Sequence, residues 1–310
     1  MRPAVSVIVP VYKVEEYIER CARALFGQTM EDLEFIFVDD CTPDASMDIL
    51  ARVLDDYPQR RGQVTILRND VNRGLPFTRR RGVEVATGDY IIHCDSDDWP
   101  EPDMYAKLYA KATAENLDMV ICQSYHVYAD HIELSRDKLD GKDMLGALIR
   151  QDILSHLWDK LVTRKAYDRG ITFPRCNMSE DTATLIPLAC NCDSFGCLHE
   201  PLYNYLCRND GICRSGYDKE KILGMKENFD LVISCLESRG LARKYKAEIV
   251  SLKCCLKNNI QFFPREFYLS IYPEVNLALL FQTSIMLKDR LGHLSHLLGI
   301  HGVSRLFKKR

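Results

Sequence analysis

The chain has 310 residues, 46% of them hydrophobic and 27% charged, with a formal net charge of −3. That balance excludes a disordered or fibrous protein and leaves room for one large domain or two ordinary ones. A core of this size needs no disulfide staples, and no apolar run approaches the ~20 residues of a membrane span.

The elements follow in chain order. Ala4 to Val9 is a β-branched apolar run ending at Pro10, the pattern of a buried parallel strand. Glu15 to Phe26 has helical spacing, with Tyr17, Ile18, Cys21, Ala22 and Leu25 on one face. Glu34 to Val38 is a second strand, stopped by Asp39 and Asp40. Asp44 or Ser46 caps a helix over Met47 to Tyr57. Val64 to Leu67 is a third strand. Leu75 to Ala86 is helical, with Gly88 as its C-cap. Tyr90 to Cys94 is a fourth strand. Alternation of strand and helix predicts an α/β fold with a mainly parallel sheet. Lys142 to Ile149 reads as helix, and from Lys219 onward the chain is mostly helical, broken at Pro264 and Pro273.

In open parallel sheets, ligands bind beyond the carboxyl ends of the strands. Three predicted strands end in distinctive groups: Pro10-Val11-Tyr12, Asp39-Asp40 and Asp95-Ser96-Asp97-Asp98. Topology therefore predicts that all three line one crevice. Three carboxylates within four residues repel one another, and a cation offsets that repulsion. Hard oxygen ligands suit Mg²⁺ or Mn²⁺, completed by water and phosphate oxygens. An acidic, solvated turn is the plainer explanation of the same run. Asp39 and Asp40 have the chemistry to accept from a base N–H or from ribose hydroxyls, and Tyr12 to stack on a base. Of Arg79, Arg80 and Arg81, only one or two face the crevice at 100° per residue; a guanidinium there suits diphosphate oxygens.

Together these residues resemble family-2 glycosyltransferases, which have the GT-A fold. The matching text is Val5-Ser-Val-Ile-Val-Pro-Val-Tyr12, Phe37-Val-Asp-Asp40, Asn72-x-Gly74, Arg79, Ala86-Thr-Gly-Asp-Tyr-Ile91 and Asp95-Ser-Asp-Asp-Trp99. It runs over about Val5 to Ser215. The resemblance implies a Rossmann-like, mostly parallel central sheet flanked by helices, with a helical C-terminal extension. Residues 1–218 form the expected catalytic domain, with a donor half to about residue 100 and an acceptor half after it; residues 219–310 form a basic helical region. Pro10, Tyr12, Asp39, Asp40, Arg79 and Ser96 are then donor-nucleotide residues, and Asp95 with Asp97 holds the metal. Tyr203-x-Tyr205 followed by Arg208 resembles a segment that closes over the diphosphate. Met178-Ser-Glu-Asp-Thr182 resembles the family's Glu-Asp motif, making Asp181 the catalytic base and Glu180 its neighbour. Acids in a helix's first turn are favoured for capping alone. Trp158-Asp-Lys-Leu161 resembles an acceptor-lining segment, which gives Trp158 and Lys160 acceptor-side roles.

The chain departs from the family pattern in places. Lys13 stands where Asn is usual. Asp39-Asp40 continues as Cys-Thr-Pro-Asp-Ala-Ser rather than Gly-Ser-x-Asp-x-Ser. Arg80 replaces the usual Asn after Arg79, and Gly211-Ile-Cys213 stands where a Ser-containing version is common.

The implied activity is inverting transfer of a sugar from a nucleotide-diphosphate sugar, a UDP-sugar by analogy. The acceptor is a hydroxyl of a saccharide or lipid-linked saccharide in surface-polysaccharide synthesis, and Mn²⁺ or Mg²⁺ is the cofactor. An inactive sugar-binding or scaffolding protein of the same fold is the alternative. A nucleotidyltransferase is disfavoured because the first strand ends without a Gly-rich, basic loop. A dinucleotide-dependent oxidoreductase is disfavoured by the lack of Gly-x-Gly-x-x-Gly.

Charge is unevenly spread: Leu241 to Arg310 holds 12 Lys/Arg against 4 Asp/Glu, which leaves −11 for the remainder. Leu277 to Phe307 has helical apolar spacing and runs into Arg305-Leu-Phe-Lys-Lys-Arg310. Such a helix suits peripheral contact with an anionic membrane face, or packing on the catalytic domain or on another subunit, so a homodimer is also an expectation. Nucleic acid is not an expected partner. Thirteen cysteines are scattered, and Cys190, Cys192 and Cys197 with Cys176, Cys207 or Cys213 match no standard zinc-knuckle spacing. Met1-Arg2-Pro3 runs straight into a strand pattern, so reduced thiols in a cytoplasmic chain, peripheral on the inner membrane face at most, are expected.

Overall fold

A computed structural model describes residues 2–135, 137, 143–208, 217–281 and 287–299. The elements in chain order are β1 (Val5–Val11), α1 (Ile18–Phe26), β2 (Leu33–Asp39), α2 (Ser46–Asp55), β3 (Val64–Arg68), α3 (Leu75–Val85), β4 (Tyr90–His93), β5 (Trp99–Pro100), α4 (Met104–Ala114), β6 (Met119–Val127), β7 (Ile132–Leu134), α5 (Met144–Arg150), β8 (Lys160–Thr163), α6 (Arg164–Asp168), α7 (Glu180–Ala189) and β9 (Phe195–Leu206). The helices α8 (Lys219–Ser238), α9 (Lys246–Asn259), α10 (Arg265–Ser270), α11 (Ala278–Phe281) and α12 (Leu287–Leu298) follow.

The sheet order is β3-β2-β1-β4-β8-β6-β9-β5, with β7 on β6. β1 to β4 pair in parallel. Beyond β4 the sheet is mixed: β8 is antiparallel to β4 and β6, while β6 and β9 are parallel. β1 lies between β2 and β4, so the strand order reverses there, and in sheets of this kind ligands bind beyond the carboxyl ends at such a reversal.

Every residue of β1 is buried, because helices cover both faces of a parallel sheet and β-branched side chains fit them. Pro10 belongs to this strand although it has no N–H to donate. Ile8 accepts from the Cys94 N–H and so faces β4. Pro10 points the same way, past the last β1–β4 pair of Ile8 with His93, where the ladder asks for no donor.

Two local expectations are corrected. Ala86, not Gly88, caps the end of α3. Gly88 is needed for close approach: a Cβ there would stand 2.6 Å from the Ser6 backbone nitrogen. Ser46 lies inside α2 rather than at its cap, and Asp44 Oδ1 accepts from the Ser46 N–H at 3.3 Å and its hydroxyl at 2.7 Å.

Two apolar clusters lie on the two sides of the sheet. One joins β1 and β2 to α1, α2 and α4 through residues such as Val7, Leu25, Phe35 and Tyr105. The other runs from Ile8 and Ile36 through α5 and α7 to Phe229, Leu252 and Tyr268. The helices after Lys219 therefore share a continuous core with the sheet. Among the described residues, no helix is long and apolar enough to cross a membrane.

Candidate active site

Tyr12, Asp39 and Asp95 follow or end β1, β2 and β4, so the parallel register brings them to one edge. Tyr12 is 40% exposed, and the Lys13 ammonium lies 5.3 Å from its ring centre. Asp39 is buried at the edge; its Oδ1 accepts from the Thr42 N–H at 2.7 Å, and its Oδ2 lies 3.4 Å from Arg68 Nε. Beside it runs a groove of about 560 Å³ lined by Cys41, Arg68, Asn69, Asp70, Phe77 and Arg81.

Asp40 behaves differently from its neighbour. Its Oδ1 accepts from Asn69 Nδ2 at 2.7 Å and the Arg73 N–H at 2.8 Å, and its Oδ2 accepts from the Gly74 N–H at 2.9 Å. These bonds engage both oxygens in bracing the loop before α3. Asp40 is thereby corrected from a nucleotide-facing group to a loop anchor.

The carboxylate run after β4 divides in two. Asp98 is fully buried; its Oδ1 accepts from the Leu206 N–H at 2.7 Å and its Oδ2 from the Tyr203 hydroxyl at 3.0 Å. Burial, then Asp97 and Asp95, pushes its carboxyl well above the usual range. Ser96 is buried. The side chains of Asp95 and Asp97 keep 25% and 28% exposure. Burial pushes the Asp95 carboxyl up to about 6; Arg79 opposes the rise, while Asp181 and Asp97 add to it.

Tyr203 fixes the geometry of this turn. It accepts from the Asp95 N–H at 3.0 Å while donating to Asp98. Its ring stacks on Trp158 at 4.3 Å, and Trp158 stacks on His156 at 4.5 Å. Trp158 and Lys160 are each only 1% exposed. Lys160 Nζ donates to Asp159 Oδ1 at 2.6 Å and to the Leu154 carbonyl at 2.9 Å. Burial therefore corrects the acceptor-side roles of both: Trp158 backs the Asp95 turn, and Lys160 neutralises a buried carboxylate.

Arg79 is 1% exposed, on the face of α3 turned toward the sheet. Its Nη2 lies 2.9 Å from Asp95 Oδ1 and 3.4 Å from Asp181 Oδ1, and its Nε lies 3.0 Å from Glu180 Oε1. Burial alone would lower its pKa, but Glu180, Asp95 and Asp181 outweigh that and hold the guanidinium above its ordinary value. Three carboxylates engage its Nη2 and Nε, while Nη1 has no hydrogen-bond partner. Arg79 ties the end of β4 to the start of α7.

Glu180 is 3% exposed, and its Oε1 is held by the ion pair with Arg79 Nε rather than by a well-aligned hydrogen bond, while its Oε2 has no hydrogen-bond partner. Burial holds its carboxyl well above the usual range, against Arg79 and with Asp181. Asp181 keeps 28% side-chain exposure and is the more open of the two. Ser179, just before them, adopts φ 58 and so turns the chain sharply into α7. Asn177 Oδ1 accepts from the Leu75 N–H at 3.2 Å, joining this loop to the start of α3.

Arg208 Nη1 lies 3.1 Å from Asp97 Oδ2, and its guanidinium sits 4.4 Å from the Tyr17 ring centre. Residues 209–216, including Gly211 and Cys213, lie outside the described residues. Sequence reasoning passed over Arg20. Its guanidinium lies 3.5 Å over the Trp99 ring, and its Nη2 donates to the Asp97 carbonyl at 3.1 Å. No local signal marks it, because an arginine on α1 reads as solvated surface.

Among the described residues, no three His, Cys, Asp or Glu side chains form a protein-only metal cage. Asp95 and Asp97 are a two-carboxylate set, which suits a hard cation that takes its other ligands from phosphate and water. The raised Asp95 carboxyl marks a place where added positive charge is favourable.

Comparison with known proteins bears on the fold and the family. The family model described as glycosyl transferase family 2 matches residues 6–172. The Bacillus subtilis protein named uncharacterized glycosyltransferase EpsJ is 28% identical over 260 residues, spanning 80% of this chain and 74% of that protein. Staphylococcus aureus TarS 1–349, solved in complex with UDP-GlcNAc, superposes with TM-score 0.64 at 17% identity, covering 97% of this chain and 89% of that one. A mannosyltransferase from Pyrobaculum calidifontis, solved with GDP-Man and Mn²⁺, gives TM-score 0.53 at 16% identity, over 99% of this chain and 83% of that one. The fold is thus that of GT-A enzymes, and the chain belongs to glycosyl transferase family 2.

Proposed function

We propose that this glycosyltransferase moves a sugar with inversion from a nucleotide-diphosphate sugar, a UDP-sugar in our reading, to a hydroxyl of a saccharide or lipid-linked saccharide. One observation carries the reading: the partly exposed Asp95 and Asp181 meet at a single Arg79 nitrogen. A donor-side carboxylate and an acceptor-side carboxylate thus share one buried counter-ion. The UDP-GlcNAc complex of TarS supports a nucleotide sugar as donor.

The residues take distinct parts. The open face of Tyr12 offers a platform for a base, and Asp39 Oδ2 is placed to accept from a base N–H or a ribose hydroxyl. Asp95 and Asp97 are the residues that would hold Mn²⁺ or Mg²⁺, which when bound stabilises charge on the leaving diphosphate. Asp181 takes the proton of the attacking hydroxyl. Arg79 keeps Asp181 oriented and offsets its repulsion with Asp95 and Glu180. No second protein acid is required, because the diphosphate leaves as an anion.

A thermal-shift screen of nucleotide sugars with and without Mn²⁺ tests the proposal. A donor at ~100 times its dissociation constant stabilises by about 2.7 kcal/mol. A chain that binds no nucleotide sugar and releases no nucleoside diphosphate under any condition would overturn it.

A further inference from the structure

The helix α12 is amphipathic in the reverse of the usual sense. Its polar side is turned into the protein. His293 and Ser295 are buried. His293 Nδ1 lies 2.9 Å from the Tyr268 hydroxyl, and the His296 ring stacks on Tyr268 at 4.4 Å. Gly292 lies so close to Gln261 that a Cβ there would collide with its Oε1. Arg265 donates to the His296 and Leu297 carbonyls at 2.7 and 3.3 Å, closing the helix end.

The apolar side faces solvent. Leu291, Leu294 and Leu298 are 44%, 36% and 62% exposed. Their spacing of three and four residues places them on one stripe. The neighbouring α11 adds Phe281, 79% exposed. An outward leucine stripe on a firmly packed helix marks a surface that something else covers.

Charge selects the occupant. After Asp289 the given sequence contains no acid, while it contains Arg290, Arg305, Lys308, Lys309 and Arg310. Two copies meeting through this stripe would each present Arg290 and, by chain connectivity, a following sequence that holds four basic residues and no acid, a like-charge pairing that repulsion opposes. An anionic bilayer surface answers both the leucines and the basic residues.

We propose that the Leu291–Leu294–Leu298 face of α12 lies on an anionic lipid surface, holding the protein at the membrane without spanning it. The proposal does not depend on the identity of the sugar donor.

The test is co-sedimentation of the full chain with phosphatidylglycerol–phosphatidylcholine vesicles and with phosphatidylcholine alone. Binding is expected for the anionic vesicles at low salt, weakening as salt rises. The variant Leu291→Ser/Leu294→Ser/Leu298→Ser should bind about tenfold more weakly or less. The single variant Leu298→Ser, at the most exposed position of the stripe, should show a smaller loss should the triple variant fold poorly. Lys308→Gln/Lys309→Gln/Arg310→Gln should flatten the salt dependence. Nucleotide-sugar binding, measured in parallel, should be unchanged in all three. Absence of low-salt binding, or equal binding by wild type and the leucine variants, overturns the proposal. So does a dimer by light scattering that the leucine variants dissociate, since the stripe would then join two copies.

Discussion

Arg79 Nη2 lies 2.9 Å from Asp95 Oδ1, and the same nitrogen reaches Asp181 Oδ1 at 3.4 Å. The two halves of the proposed chemistry are thereby joined through a side chain that solvent does not reach. Asp181→Asn should keep donor binding and lose transfer by a factor of about 10² or more, since it removes only the proton acceptor. Asp97→Ala should instead lose Mn²⁺-dependent donor binding. Calorimetric titration with a UDP-sugar, beside a transfer assay, separates the two; loss of binding in Asp181→Asn would contradict the division of roles.

Arg79→Met leaves Glu180 buried with its main compensating charge removed. Removing one partner of a buried pair costs about 3–5 kcal/mol, so urea melts should show a loss in that range. Adding Glu180→Gln should restore part of it, because the neutral amide no longer carries an uncompensated charge. A surface-like cost of a few tenths of a kcal/mol for Arg79→Met would argue against the bracket.

Lys160 gives a contrasting test. Burial pushes the Asp159 carboxyl up to about 7, against the pull of Lys160, and Asp159 Oδ2 has no partner. Lys160→Met should cost about 3 kcal/mol or more in stability, and the double variant Asp159→Leu/Lys160→Met should cost less. In the surviving folded fraction, KM for the acceptor should be near that of wild type. A raised acceptor KM with unchanged stability would return Lys160 to the acceptor side.

His156 predicts an acid limb. Burial first, then Lys160, holds its pKa down to about 3, against about 6.5 in the unfolded chain. The folded state binds fewer protons in this window. The contribution to stability is therefore complete above about pH 6.5 and is lost as pH falls toward 3, at up to about 1.4 kcal/mol per pH unit. His156→Phe, which preserves a ring against Trp158, should lose about 2–3 kcal/mol less than wild type between pH 7 and 4.5. Parallel melts at the two pH values measure the difference.

Cys41 predicts a strained turn. It adopts φ 56, and Lys13 adopts φ 54; these are two of the places where the chain departs from the family pattern, Cys41 standing for a Gly and Lys13 for an Asn. The left-handed region costs a non-glycine residue about 1–2 kcal/mol, and glycine returns part of that gain as unfolded-state entropy. Cys41→Gly should raise stability by about 0.5 kcal/mol, and Cys41→Val, β-branched at positive φ, should lower it by about 1 kcal/mol or more. Denaturant midpoints should separate the two.

The departures from the family pattern were legible as letters, but their cost was not, because φ is a property of the folded chain. Pro10 at a strand end read as a stop, yet it continues β1 because β4 ends sooner. Gly88 read as a cap because glycine most often supplies a left-handed residue, whereas here it lets Ser6 approach. Trp158 and Lys160 showed the opposite failure: a motif match located the segment but carried no information about which side of it faces the crevice.

What the sequence alone determined is the alternation that builds β1 to β4 and the clustering of Tyr12, Asp39 and Asp95 at one edge. Both follow from local periodicity and from the rule that parallel strands share a carboxyl end. Tertiary structure alone decided how the charges are shared. It sent Asp98 to Tyr203 and Leu206, closed Arg79 among Asp95, Glu180 and Asp181, and turned the leucines of α12 outward. Each of these contacts joins residues distant in the chain, and each is set by which groups burial forces to find a partner.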